Sequence, residues 1–581
     1  MTISRRGMLL MMGATAASTV VKVPFVEALS QAVPPSPRIP LDEFVQNGSQ
    51  LASLRKGVKA MMKRKPSDPL SWFFQAAIHG VTFEAVVEAA KDDPAVKDVH
   101  PALWNQCPHN KQHSANFLPW HRGYTYYFER ILRWHTEDVT FSLPYWNYHD
   151  KANRAFPKEF GIMHLDGNTE NNAEQNINPL YYESRDLYLA TYEHWTKPGG
   201  GFQPLVELSD FAVDITIPMS SPVFFGATEQ DGLGGGIYDA NEYTRGLLES
   251  YPHDQIHRSV GGIVITPDGK DHAGAMANPL TAGFDPIFPI HHSNIDRLWA
   301  EWSCMPGKDW GALPPRTWFD EKPWTFYDID KDGKAVEANE PRKMYFDHRA
   351  LQVRFKNEDM SCNPLKLPES IMATPSPGPL ALESLAQLTL ETRTTQTLHV
   401  SRAEVNVPSA QKTVVVVEAA ARQKLKTPAA NFRSKILTNN LLLAMPVKEK
   451  RVFLLLRDIK MESLQGTGFD VHVTDNPNAA LTRSSATFVG SLALFNHLPS
   501  QEPYSKRRSA RRVQGSAGMQ MAEGHNQSFD ITKAVASVGN ENLAGLRVVF
   551  IPYSLISSPT REVILLGKNA IKVGGIEFFM Q

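Results

Sequence analysis

Apolar positions follow two different periods along this chain. In its first part, Phe73 to Val87, His121 to Trp134 and His291 to Trp302 carry apolar residues three and four apart, the spacing of one helix face. Stretches rich in Gly, Asn and Pro (Glu170 to Pro179, Pro198 to Phe202, Gly232 to Gly236) separate them and read as loops. Further on the period changes. Thr413 to Val417 and Val452 to Leu456 are short β-branched or aliphatic runs, and Phe469 to Val473 alternates apolar with polar residues, which predicts strands. Lys366 to Leu380, with Pro375, Pro377, Gly378 and Pro379, reads as a linker. The expected class is therefore α+β and multidomain. A mainly α-helical domain with long loops would cover 33–330, a connecting segment 331–380, and an all-β, sandwich-like domain 381–581. No internal repeat of fixed period is present.

Composition narrows the function. The 60 Lys+Arg balance 61 Asp+Glu to a net charge of -1, against a nucleic-acid or anionic-membrane binder. The basic patch Lys506 to Arg508 with Arg511 and Arg512 reads as a solvated, protease-sensitive loop. Three Cys in 581 residues rule out a disulfide framework. Nineteen His are the conspicuous feature. All eleven Trp lie between Trp72 and Trp324, and fifteen of the His at or before His348, so the chemistry belongs to the helical part.

The N-terminus carries an address. Arg5-Arg6 precedes an apolar stretch of about 14 residues, short of the roughly 20 that span a bilayer. Residues 1–32 resemble a twin-arginine export signal, with small residues for cleavage after Ser30 or Ala32 and Met8 where Phe is frequent. The expected location is periplasmic or secreted, with no membrane span. This route carries folded proteins, which suits one that loads a metal first.

The histidines form two groups. His253 and His257 stand four apart, so one helix face presents both imidazoles. Asp254 replaces the Glu of a zinc-protease HExxH. The pair His291-His292 opens a helix whose preceding turn Asp285 can cap. Earlier come His79, then Cys107-Pro108-His109, then Trp120-His121-Arg122. Imidazole ligation suits copper, zinc or iron and does not suit magnesium or calcium. A structural zinc domain would use the same residues.

CPH…FLPWHR, YPHDQIH and DPIFPIHHSNIDRLW together resemble the tyrosinase and polyphenol oxidase family of dinuclear copper proteins. Trp318 to Asp328, Gly468 to Val471, Val489 to Ser491 and Gly574 to Phe578 are similar to later segments of its plant-type members. The resemblance implies a four-helix core holding two copper ions, with dioxygen as co-substrate. Copper A would be held by His79, His109 and His121, and copper B by His253, His257 and His292. The family places its second copper A histidine nine before the third. Here His109 is twelve before and His113 eight, so His109 is taken with a three-residue insertion and His113 is the alternative.

The resemblance also implies a thioether between Cys107 and His109, with a buried thiol as the alternative. Glu249 would hold a water over copper B that accepts a phenolic proton, or else be a helix-start carboxylate. Asp254 would act as a base or orient Arg258. Pro279 would leave the entrance open. His291 would make a core contact, and His100, His135, His149 and His164 structural or surface ones. The implied activity is oxidation of o-diphenols to o-quinones, with ortho-hydroxylation of monophenols beside it. The C-terminal domain would shield the site until a protease cuts the linker. An o-aminophenol oxidase and a hemocyanin-like dioxygen carrier share the same ligands.

Overall fold

The computed structural model describes residues 35–108, 114–168, 170–185, 207–226, 232–235, 245–265, 271–373, 396–401, 404–408, 411–416, 452–461, 466–492, 494–495, 525–538, 545–557 and 569–580. The export segment, His109, His113 and the basic patch lie outside them.

Five helices organise the first part: α1 (Gly48–Met62), α2 (Trp72–Gly80), α3 (Phe117–Thr136), α4 (Asp254–Gly261) and α5 (Phe288–Cys304). Ser71 starts α2, its Oγ accepting from Phe74 N at 2.9 Å. The single helix expected from Phe73 to Val87 is two, because α2 stops at Gly80 and Thr82 caps a second helix, Phe83–Ala89. At the break, a Cβ on Gly80 would stand 2.3 Å from the Pro279 carbonyl oxygen. His79 is thereby left on the last turn of α2.

Helix α3 is buried along most of its length and tolerates Pro119 in its first turn, where no intrahelical N–H is needed. It ends at Glu137, whose φ is 56°. Helix α5 begins at Phe288, three residues before the expected His291, and the turn before it is capped as expected: Asp285 Oδ1 accepts from Ile287 N at 2.9 Å, and Arg185 grips both carboxylate oxygens at 2.7 and 2.6 Å. A buried ion network fixes α3 against α5. Arg122 Nε donates to Asp296 Oδ1 at 2.6 Å, and Arg38 reaches Glu129 at 2.8 Å and Asp296 at 3.1 Å. The Arg122 guanidinium lies 3.4 Å from the centre of the Trp299 ring.

Residues 366–373, read as linker, pack instead: Leu367 and Ile371 are buried with Trp310 and Trp318, through a short helix Glu369–Met372. Only 374–380 of that stretch lies outside the described residues. The cysteine count also concealed a bridge, since Cys304 at the end of α5 is joined to Cys362. Glu358 braces that loop, accepting from His348 Nε2 at 2.9 Å and Arg349 Nε at 2.6 Å. Arg349 Nη1 donates onward to the Cys362 carbonyl at 3.0 Å.

The C-terminal part is two antiparallel sheets. Its strands are β1 (Gln396–Ser401), β2 (Val405–Pro408), β3 (Thr413–Val416), β4 (Val452–Met461), β5 (Thr467–Thr474), β6 (Phe488–Ser491), β7 (His525–Asp530), β8 (Arg547–Ser554) and β9 (Asn569–Met580). One sheet runs β7-β4-β9-β1 with β2 also on β9, and the other β3-β8-β5-β6. Leu454, Leu456, Ile576 and Phe578 face Phe469, Val471, Val473 and Phe550 in a shared core, which makes a sandwich. Two details depart from the sequence pattern. Val414 and Val416 are exposed because β3 lies at a sheet edge. Strand β5 is buried on both faces, its polar side covered by Arg483, which donates to both oxygens of Asp470 at 2.9 and 3.0 Å.

The two parts are sewn together. Glu207–Leu208 pairs antiparallel with Ile556–Ser557. Ser209 Oγ donates to the Ser554 carbonyl at 2.6 Å, and Arg483 Nη1 meets Asp214 at 3.1 Å. Arg258 Nη2 donates to the Thr467 carbonyl. Among the described residues no helix is long and apolar enough to cross a membrane.

Candidate metal centre

Four helices bring their histidines to one buried place. His79 ends α2, His121 lies in the second turn of α3, His253 and His257 flank the first turn of α4, and His291 and His292 open α5. Their ring hydrogen bonds fix which nitrogen carries the proton. His79 Nδ1 lies 2.8 Å from the Pro279 carbonyl, His121 Nδ1 2.9 Å from the Phe117 carbonyl, and His257 Nδ1 2.7 Å from the Met276 carbonyl. A carbonyl can only accept, so each Nδ1 is protonated and each Nε2 keeps its lone pair. His253 Nδ1 donates to Asp254 Oδ1 at 2.9 Å with the same result. Burial also keeps these rings neutral, lowering His79 to about 4 and His121, His257 and His292 well below the ordinary range.

Two clusters result. The potential ligand atoms of His253, His257, His291 and His292 lie within 4.8 Å of one another, as do those of His79, Cys107 and His121. The clusters adjoin: the His121 and His292 rings stack with centroids 4.1 Å apart and planes at 3°. His292 Nε2 lies 3.4 Å from His257 Nε2, while its buried Nδ1 has no hydrogen-bond partner among the described residues. Buried, neutral imidazoles with lone pairs converging and no carboxylate in either cluster form a donor set for copper, zinc or iron.

Six expected residues therefore come together: His79, His121, His253, His257 and His292, with Cys107 Sγ 3.5 Å from His121 Nε2. His291, expected only as a core contact, also stands in the second cluster, and its Nδ1 lies 3.3 Å from the Tyr148 hydroxyl. His100 caps a turn, His149 accepts from Arg297 and His164 pairs with Asn172, all outside both clusters. Pro279, expected at an open entrance, is buried, and its carbonyl holds His79.

Glu249 and Asp254 are both buried, and they meet on a residue that the sequence reading passed over. Arg245 Nη1 contacts Asp254 Oδ2 and lies 3.5 Å from Glu249 Oε1. Burial pushes the Asp254 carboxyl up, against the opposing pull of Arg245 and Arg258. No motif flagged Arg245, since its role depends on where the chain folds. Phe495, from the C-terminal part, was missed for the same reason. Its ring stacks on His257 with centroids 4.3 Å apart at 28°, and stands edge-on to His253 at 5.7 Å.

Comparison with known proteins agrees with this geometry. Residues 69–305 match the family model for the common central domain of tyrosinase. A tyrosinase, HcTyr1, from Hahella sp. (strain CCB-MM4) is 30% identical over 275 residues, 44% of this chain and 50% of that protein. The latent form of a chloroplastic polyphenol oxidase from Prunus armeniaca is 26% identical over 461 residues, 77% of this chain and 64% of that one. The chain thus spans from half to just under two thirds of these relatives' lengths. Among solved structures, latent apple tyrosinase superposes with a TM-score of 0.51 at 19% identity, over 94% of this chain and 98% of that one. That likeness is one of fold and extends through the C-terminal sandwich.

Proposed function

Through its residues 69–305 the chain belongs to the tyrosinase family, and on that premise we propose that it is a copper-dependent phenol oxidase converting o-diphenols to o-quinones with dioxygen. The observation that carries this reading is the pair of adjoining buried clusters whose Nε2 lone pairs are fixed by Nδ1 hydrogen bonds. His79, His121 and His109 would hold one copper, with His113 as the alternative to His109. His253, His257 and His292 would hold the other. Two bound coppers supply the redox capacity to reduce dioxygen and oxidise a phenol.

The protein's share is orientation and proton handling. Asp254 Oδ1 holds the His253 ring, and the Pro279, Phe117 and Met276 carbonyls hold three more. Glu249 accepts the phenolic proton through a held water, which extends the activity to monophenols. Cys107 forms a thioether with a ring carbon of His109, the S–H and C–H bonds giving up two protons and two electrons to dioxygen, and this fixes that ring. Phe495 covers His257 and His253, so the full chain is latent until a protease cuts the linker within 374–380. The chain is exported through its twin-arginine segment, and the Cys304–Cys362 bridge suits an oxidising compartment.

The test is metal analysis with side-by-side assays of catechol, a monophenol and an o-aminophenol, on intact and cleaved protein. Two coppers per chain and catechol turnover that rises on cleavage are expected. Bound zinc with no turnover would overturn the reading. Preferential use of the o-aminophenol would move it to that oxidase class.

A further inference from the structure

The guanidinium of Arg245 faces two ways. On one side Nη1 contacts Asp254 Oδ2, and Asp254 uses its other oxygen, Oδ1, to accept the hydrogen bond from His253 Nδ1–H at 2.9 Å. On the other side Nη2 donates to the main-chain carbonyl of Phe495 at 2.8 Å, the residue whose ring stacks on His257. Arg245 is 3% exposed, and Asp254 and His253 are 0% exposed. We propose that Arg245 is a positioning residue for the second histidine cluster, fixing His253 through Asp254 and tying that geometry to the seating of Phe495. This rests on the copper reading above.

A buried carboxylate keeps its direction through the donors on its two oxygens, so without Arg245 the Oδ2 end loses its grip and Oδ1 swings off His253 Nδ1–H. The His253 ring is then free to rotate. Shape matters as well as charge. A guanidinium is a planar fork with donors fixed in direction, so it serves Asp254 and the Phe495 carbonyl at once. A lysine ammonium supplies the charge from a single nitrogen and does not span both acceptors.

The two jobs are separable by substitution in the full-length, copper-loaded protein and in the same protein cleaved within 374–380. Arg245→Gln loses both: copper retention at one of two sites against a chelator falls by about tenfold or more, the usual size of a lost outer partner of a ligand. Arg245→Lys keeps a positive charge beside Asp254 and so retains more copper than Arg245→Gln. It loses latency, so the activity ratio of cleaved to intact protein drops about threefold or more. Arg245→Gln/Asp254→Asn recovers copper retention in part, because Asn still offers Oδ1 to His253 and removes the carboxylate that Arg245 gripped. Far-UV circular dichroism shows that each variant is folded.

Arg245→Gln with wild-type copper retention, or a folded double variant no better than Arg245→Gln, overturns the role through Asp254. Arg245→Lys with undiminished latency overturns the tie to Phe495. Failure of the phenol-oxidase reading looks different: wild-type protein that takes up two metal ions and does not oxidise catechol. The retention series then still reports on Arg245 with the metal that is bound.

Discussion

Gly80 and the Pro279 carbonyl are in such close approach that a Cβ on the glycine would lie 2.3 Å from the oxygen. That oxygen is the acceptor for His79 Nδ1 at 2.8 Å. Gly80→Ala therefore pushes away the group that aims the His79 lone pair. Copper affinity at the first cluster is expected to fall about 10–100-fold, read as copper per chain after chelator challenge. Gly48→Ala, with nothing within 4 Å of the added Cβ, leaves it unchanged.

Removing the Phe495 ring uncovers His257 and His253. Phe495→Ala is expected to raise o-diphenol oxidation by the uncut chain severalfold, towards the rate of the cleaved form. It also costs about 3 kcal/mol of stability as a buried aromatic truncation. An uncut variant as latent as the parent would show that the ring is not the cover.

Asp296 accepts from two buried arginines, Arg122 and Arg38. Asp296→Asn removes the carboxylate that Arg122 grips and leaves Arg38 with Glu129, and is expected to destabilise by about 3–5 kcal/mol, measured by thermal or denaturant unfolding. Lys56→Met breaks an ion pair with Glu137 in which both side chains are 53% exposed. It should cost about 0–1 kcal/mol, which calibrates the comparison.

Glu358 supplies a pH dependence away from the histidines. Burial would raise its carboxyl, but hydrogen bonds from His348 and Arg349 outweigh it and bring it down to about 2 from 4.5. The folded value is below the unfolded one, so the stabilisation is complete above 4.5 and disappears as pH falls towards 2. The difference in melting temperature between wild type and Glu358→Gln is expected to shrink across that window. A constant difference down to pH 2.5 would contradict the assignment.

The clustered histidines were legible in sequence because a helical pair four apart and a doubled histidine near a helix start are local patterns. Asp285 as a cap was legible for the same reason. What escaped depends on contacts between distant stretches. The break after Gly80 is imposed by Pro279, 200 residues from His79. Arg245 and Phe495 acquire roles only when the two parts dock, and the polar face of β5 is buried only because Arg483 folds over Asp470. A count of three cysteines gave no hint that Cys304 and Cys362 would meet.

The pairing of Glu207–Leu208 with Ile556–Ser557 makes scission and release separate events. A chain severed within 374–380 still holds that strand pair, the Ser209–Ser554 hydrogen bond and the Arg483–Asp214 ion pair. On the proposed latency, the sandwich is then a bound inhibitor rather than a tethered one. Before the cut, a displaced sandwich is recaptured at the high effective concentration its tether imposes. After it, recapture depends on how much free sandwich remains in solution. Dilution alone should therefore activate nicked protein and leave intact protein latent.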